Sequence, residues 1–194
     1  KLLNRKAGKF ALLTVYDPAS NKRWDETVKP VDGGAEGELL YKRWVRSRRA
    51  DVEKLSGGRI GYVHVRANND ASMPVVFEEA LGLNLKKDAI VVDTRFNGGG
   101  NIHEQLSDFL SGKKYFDVVP HGQYVGSQPF DKWIKPSFVV MGESNYSDAH
   151  LFRLAYKAKH MGQLVGMPVA GTGTFVWWEN QIDPTLRFGI PMGC

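Results

Sequence analysis

GESNYSDAH, residues 142–150, decides the fold when it is read with RFNGGG, residues 95–100. The run Phe138–Met141 is apolar and ends at Gly142, and the polar turn after it leads into a helix-like stretch, Asp148 to His160, with Ser147 at its mouth. A second apolar run, Ala89–Thr94, ends in Gly98-Gly99-Gly100, which opens another helix-like stretch, Asn101–Leu110. Strands alternating with helices in this way predict an α/β layer structure with a largely parallel sheet. The turns also carry chemistry. The first amides of a helix lack intrahelical partners and hold the positive end of its dipole, so they can face a developing negative charge. Consecutive glycines bring further amides close with no side chain in the way. A serine at a strand-to-helix turn is presented to solvent. The two turns together supply a nucleophile and an oxyanion hole, which is half of a serine hydrolase. The other half, a general base, is not plain in the chain.

Outward from these turns, RIGYVHVR (Arg59–Arg66) reads as a strand, Ser72–Leu83 as a helix with Pro74 in its first turn, and Gln163–Val165 as a short strand. The continuous apolar strands predict burial on both faces of the sheet. Residues 113–135 read as loop, with Pro120, Gly122, Gly126 and Pro129, and long irregular segments often flank a site. Upstream, Lys9–Tyr16 and Arg23–Pro30 predict a hairpin about a turn at residues 17–21. Leu40, Trp44, Val52 and Leu55 recur at helical spacing, so Ala35–Leu55 reads as an amphipathic linker helix stopped by Ser56-Gly57-Gly58. Domains are therefore expected at residues 1–32, 33–57 and 58–194.

The chain has 194 residues and a net charge of +5. That length allows one sizeable core with an appendage. Much of the basic excess lies on the linker helix, from Lys42 to Lys54, and reads as a solvated helix face; no nucleic-acid motif accompanies it. A single cysteine, Cys194, excludes an internal disulfide and a Cys-based zinc site. No apolar run is long enough to span a membrane. Both ends look cut, since the chain begins at Lys1 and stops just after a strand-like run, Leu186–Ile190, so a fragment of a longer protein is expected.

Each candidate has a plainer local reading. Ser147 at a helix start can be an N-cap, and Asp148 can favour the dipole. The glycine triplet can be a tight turn; as a phosphate cradle it lacks the lysine and Ser/Thr of a P-loop. His150, three residues after Ser147, is a candidate base on the same helix face, though a base on that turn tends to point along the helix. His103-Glu104 starts like a zinc-protease helix, but Ser107 stands where the second ligand belongs, which leaves His103 to the rim of the site. Ser144 is the competing serine in the nucleophile turn. His64 reads as structural. Phe175, Trp177 and Trp178 read as packing or as a substrate wall.

GRIGYVHVR, VVDTRFNGGG, GESNYSDAHLF and LVGMPVAGTGT, in this order from Gly58 to Cys194, resemble the core of the tricorn and tail-specific (carboxy-terminal processing) serine peptidases. The resemblance implies a crotonase-like (ClpP/crotonase) α/β spiral core next to a PDZ domain, whose trailing strands would be residues 1–32. It implies Ser147 as nucleophile and the amide of Asp148 as one oxyanion donor, with Gly100, or next Gly99, as the other. The processing branch uses a lysine base some way after the serine, but Met167–Thr172 holds none, so the chain is closer to the tricorn-like branch. There the base is a histidine from a segment before the PDZ domain, oriented by a glutamate beyond the last strand here. The resemblance thus implies an endopeptidase acting on peptides, unfolded proteins or protein C-termini, inactive as this fragment alone. It further implies a homo-oligomer, no cofactor, no metal, no nucleic-acid partner, and a cell-envelope or cytoplasmic location with the envelope favoured. Two other readings stay open: a non-catalytic peptide- or ligand-binding module of the same fold, and a crotonase-type acyl-CoA enzyme.

Overall fold

The computed structural model describes residues 2–193, so Cys194 lies outside the described residues. The chain divides into two compact units between Ser47 and Arg48. In the first, β1 (Ala11–Asp17) and β2 (Lys22–Val28) pair antiparallel from Ala11↔Val28 to Asp17↔Lys22. Asp17 folds the turn: its Oδ1 accepts the Ala19 amide at 3.0 Å and its Oδ2 the Ser20 hydroxyl, an Asx-type turn. Helix α1 (Gly33–Leu55) begins where Asp32 Oδ1 accepts the Ala35 amide at 2.8 Å, an N-cap. The helix expected over residues 35–55 forms, starting two residues earlier, but none of its residues is buried and Leu55 is 87% exposed. Its apolar stripe is not seated in a core.

The second unit runs β3 (Ile60–His64), α2 (Ser72–Phe77), β4 (Ala89–Asp93), α3 (His103–Leu110), β5 (Phe116–Val118), β6 (Gly126–Gln128), β7 (Ser137–Met141), α4 (Asp148–Ala158), β8 (Gly162–Gly166), β9 (Phe175–Asn180) and β10 (Arg187–Gly193). Helix α2 widens into a π-helical segment, Glu78–Leu83, where Asn84 donates its amide to Glu79 O. Strands β3, β4, β7 and β8 form one parallel sheet in that order. Its inner face carries Val63, Ile90, Val92 and Val139, fully buried against Val76 and Ala80 of the α2 segment, Leu106 and Phe109 of α3, and Phe152 and Tyr156 of α4. Each such side chain contributes on the order of 1.5–3 kcal/mol by leaving water.

The outer face is covered less completely than the apolar strands suggest. Tyr62 is buried there, but Val91, Phe138 and Val140 are only half-buried. The same face buries Asp93, whose carboxylate takes the Tyr62 hydroxyl at 2.8 Å and a two-point ion pair from Arg95. Burial and the Asp93 charge both push the Tyr62 hydroxyl upward.

The expected crotonase-like spiral is not what forms. Each strand–helix unit adds one strand to the growing edge, so the sheet stays single and open with α2, α3 and α4 on one face, while residues 48–55 of α1 border a cleft with Tyr62, Val91 and Val140 of the other. The remaining strands, β1-β2, β5-β6 and β9-β10, are separate hairpins. Two of these elements arise in stretches read as loop or cluster: β5-β6 within residues 113–135, and β9 at the aromatic run. No helix among the described residues is long and apolar enough to cross a membrane.

Candidate active site

Strands β4 and β7 are parallel neighbours in register, Asp93 opposite Val140. Their C-terminal ends therefore lie at one edge, and the turns that follow carry the chain into α3 and α4 from the same side. An open cleft of about 650 Å³ lies at that edge, lined by Gly100, Ser147, Asp148 and His103 among others.

Ser147 has φ 51° and ψ −123°. A non-glycine residue in that region carries on the order of 1–3 kcal/mol of strain and persists only where its surroundings hold it. Ser147 occupies the N-cap position of α4, yet its side chain makes no cap hydrogen bond. The N-cap reading thus gives the residue its place but not its hydroxyl's use. The amide of Ser147 donates to Thr172 Oγ1 at 3.3 Å, which ties the turn to the loop after β8.

The glycine turn abuts the serine turn. A methyl on Gly99 would stand 2.7 Å from Ser147 Cβ and 2.9 Å from the Asp148 nitrogen, and Gly99 has φ 98°. A methyl on Gly100 would stand 1.7 Å from Asn68 O. Only glycine lets these three segments close on one another. The Gly99 amide is engaged, donating to Asn97 Oδ1 at 2.8 Å. Among the described residues the amides of Gly100 and Asp148 have no hydrogen-bond partner.

Buried polar side chains hold the turns in place. Asn145 Oδ1 accepts the Gly142 amide at 2.9 Å, and its Nδ2 donates to Thr94 O at 2.7 Å and Thr94 Oγ1 at 3.0 Å. Asn97 Nδ2 donates to Asn68 Oδ1 at 2.8 Å and to Val65 O at 3.1 Å, and its carbonyl accepts the Tyr146 amide at 3.1 Å. Asn68 and Asn97 are fully buried. Asp148, 3% exposed, accepts from Asn68 Nδ2 at 2.8 Å, from the Ile102 and His103 amides at 3.0 and 2.9 Å, and from His103 Nδ1 at 2.5 Å. Nothing in the sequence singles out Asn68, and Asn97, Asn145 and Thr172 stand there only as parts of motifs, because a polar turn residue looks alike whether the turn is exposed or buried.

The remaining candidates separate. His103 lines the cleft. His150 is buried behind the serine turn: its Nδ1 accepts the Thr172 amide at 3.3 Å and lies 3.3 Å from Ala170 O, and its Nε2 lies 3.2 Å from Arg153 NH2. Both ring nitrogens are thereby engaged. Ser144 is exposed in the turn and does not line the cleft. His64, 6% exposed, ends β3 with Nε2 3.0 Å from Arg95 O, and burial holds its imidazole below the ordinary value. Tyr146, Leu151, Phe175, Val176 and Trp178 give the cleft an apolar wall, while Trp177 lies outside it.

A family model described as Peptidase family S41 matches residues 59–192. Tricorn protease homolog 1 of Streptomyces coelicolor is 31% identical over 170 residues, 88% of this chain and 16% of that protein. The tricorn protease of Thermoplasma acidophilum is 26% identical over 169 residues, 86% of this chain and 15% of that protein. The chain thus spans about a sixth of the length of these relatives. Among solved structures, the tricorn protease matches with a TM-score of 0.78 at 22% identity, covering 93% of this chain and 17% of that chain. The photosystem II D1 C-terminal processing protease matches with a TM-score of 0.50 at 19% identity, covering 69% of this chain and 36% of that chain. These likenesses give the fold as that of the tail-specific peptidases, and this replaces the crotonase-like expectation.

Proposed function

The chain belongs to peptidase family S41, and from that premise we propose that it carries the nucleophile and oxyanion hole of a tricorn-type serine endopeptidase. In this reading Ser147 Oγ attacks the scissile carbonyl, and the amides of Asp148 and Gly100 stabilise the negative charge on its oxygen. The observation that carries the reading is the backbone of Ser147. A serine held at φ 51°, ψ −123°, with a hydroxyl that caps nothing and a cleft before it, is strained for no structural return. Strain of that kind clusters at sites of chemistry.

The proton acceptor in this reading is a histidine outside the 194 residues, with a glutamate orienting it, as the resemblance implies. The engagement of both His150 ring nitrogens supports this. The substrate is a peptide lying along the cleft, with Trp178 and Phe175 as its apolar wall. Residues 1–32 are proposed as the trailing part of a PDZ-like domain, residues 33–57 as its connector and residues 58–194 as the peptidase core.

The test uses the full-length protein and a fluorophosphonate probe. Covalent labelling at Ser147, lost together with peptide hydrolysis in Ser147→Ala, is the expected result. Labelling at Ser144, or undiminished turnover by the alanine variant, would overturn the assignment.

A further inference from the structure

Helix α3 begins without a cap of its own: Ile102 occupies its N-cap position and makes no side-chain cap bond. Its first amides are satisfied instead from α4. Asp148 Oδ2 accepts the Ile102 and His103 amides, and the same oxygen takes Asn68 Nδ2. Asp148 Oδ1 takes Nδ1–H of His103. Asn68 in turn brackets the glycine turn, since its amide donates to Gly99 O at 3.0 Å and its carbonyl accepts the Asn101 amide at 2.7 Å. One buried carboxylate therefore fastens the start of α3, the glycine turn and the start of α4 at a single point.

We propose, on the reading of Ser147 as nucleophile, that the Asp148 carboxylate is a positioning group that aims the Gly100 amide at the oxyanion, apart from the amide Asp148 itself contributes. Two helix N-termini opening into one cleft present more unpaired amides than an oxyanion can use. The carboxylate consumes those of Ile102 and His103, and Asn97 consumes that of Gly99. Gly100 and Asp148 remain to face the cleft. An unshielded carboxylate next to the nucleophile would oppose a developing oxyanion, because like charges in a site of low dielectric repel strongly. The Asp148 charge is turned into a nest of four donors, with the His103 ring across it. His103 is thus placed by Asp148 through Nδ1, and its rim position follows from that pairing.

Side-chain substitution separates the two roles of Asp148, because every variant keeps the backbone amide. Asp148→Asn preserves an acceptor for Asn68, Ile102 and His103, and its NH2 faces Nδ1 of the other His103 tautomer. Asp148→Ala leaves the α3 amides uncapped and releases the glycine turn. A misplacement of about 1 Å costs on the order of 100-fold in rate. In the full-length protein, Asp148→Ala is expected to lower kcat about 100-fold with KM changed less than about threefold, and Asp148→Asn to recover to within about tenfold of the parent. His103→Ala, which keeps the α3 amide bonds, is expected to lower kcat about tenfold, and it stands in if Asp148→Ala fails to fold. Fluorophosphonate labelling of the parent at Ser147 is read in the same experiment. Absence of that label overturns the nucleophile reading and this proposal with it. Labelling of the parent overturns this proposal alone when Asp148→Ala or His103→Ala keeps the parental kcat, when the loss falls in KM, or when Asp148→Asn is as impaired as Asp148→Ala.

Discussion

Gly99→Ala is the sharpest probe of how the two turns meet. The added methyl would stand 2.7 Å from Ser147 Cβ, 2.7 Å from Tyr146 O and 2.9 Å from the Asp148 nitrogen. Carbon atoms rest about 3.5–4.0 Å apart, so the turns must separate by roughly 0.5–1 Å. Two of the three obstacles are backbone atoms and cannot rotate away. Asn145, Asn97 and Asp148 also tie both turns to neighbouring strands and helices, so the shift spreads into the amide positions. A displacement approaching 1 Å costs on the order of 100-fold in rate, and kcat of the full-length protein is expected to fall about 10- to 100-fold. Alanine at φ 98° adds backbone strain of about 1–3 kcal/mol, which for a unit of this size lowers Tm by about 2–4 °C per kcal/mol. Steady-state hydrolysis of a fluorogenic peptide, the fluorophosphonate labelling rate and a thermal melt read the three effects. A variant with parental kcat and labelling rate would show that the close approach of Gly99 has no part in the chemistry.

Ser147→Gly is expected to melt above Ser147→Ala by about 2–4 °C, because glycine relieves roughly 1 kcal/mol of strain at φ 51° that alanine retains; equal melts would show that the backbone stores none. Asn145→Ala leaves the buried Gly142 amide without its acceptor, while Thr94 O keeps the Asn97 amide, and at about 1–3 kcal/mol per buried unsatisfied group it is expected to cost about 2 kcal/mol. A denaturant midpoint unchanged at constant m would refute that. His64 is held by burial below its ordinary 6.5, so the folded chain binds fewer protons than the unfolded one as pH falls past that value. Stability is accordingly whole above pH 6.5 and declines below it; melts between pH 7.5 and 5.5 should show a steeper fall for the parent than for His64→Gln, and parallel profiles would refute the assignment.

By itself the sequence determined the alternation of strands and helices and the two turns that matter. Apolar runs of strand length that break into Gly98-Gly99-Gly100 and into Glu143–Ser147 are local patterns, and local patterns need no partner to be read. The order of motifs carried the resemblance to the peptidase family for the same reason. Sheet order and the site's interior were decided only in three dimensions. Nothing local says that strand–helix units add to one edge of a single sheet, with an outer face left half-covered; that follows from how crossovers stack. Residues 113–135 hid a hairpin whose strands are three residues each, too short to show periodicity. Asn68, Asn97 and Asn145 look like ordinary turn residues until their burial is seen, and Asp148 looks like a helix-start acid. Its carboxylate reaches His103, 45 residues away in sequence. A pairing of that kind exists only because two parallel strands end side by side and send their helices off from the same edge.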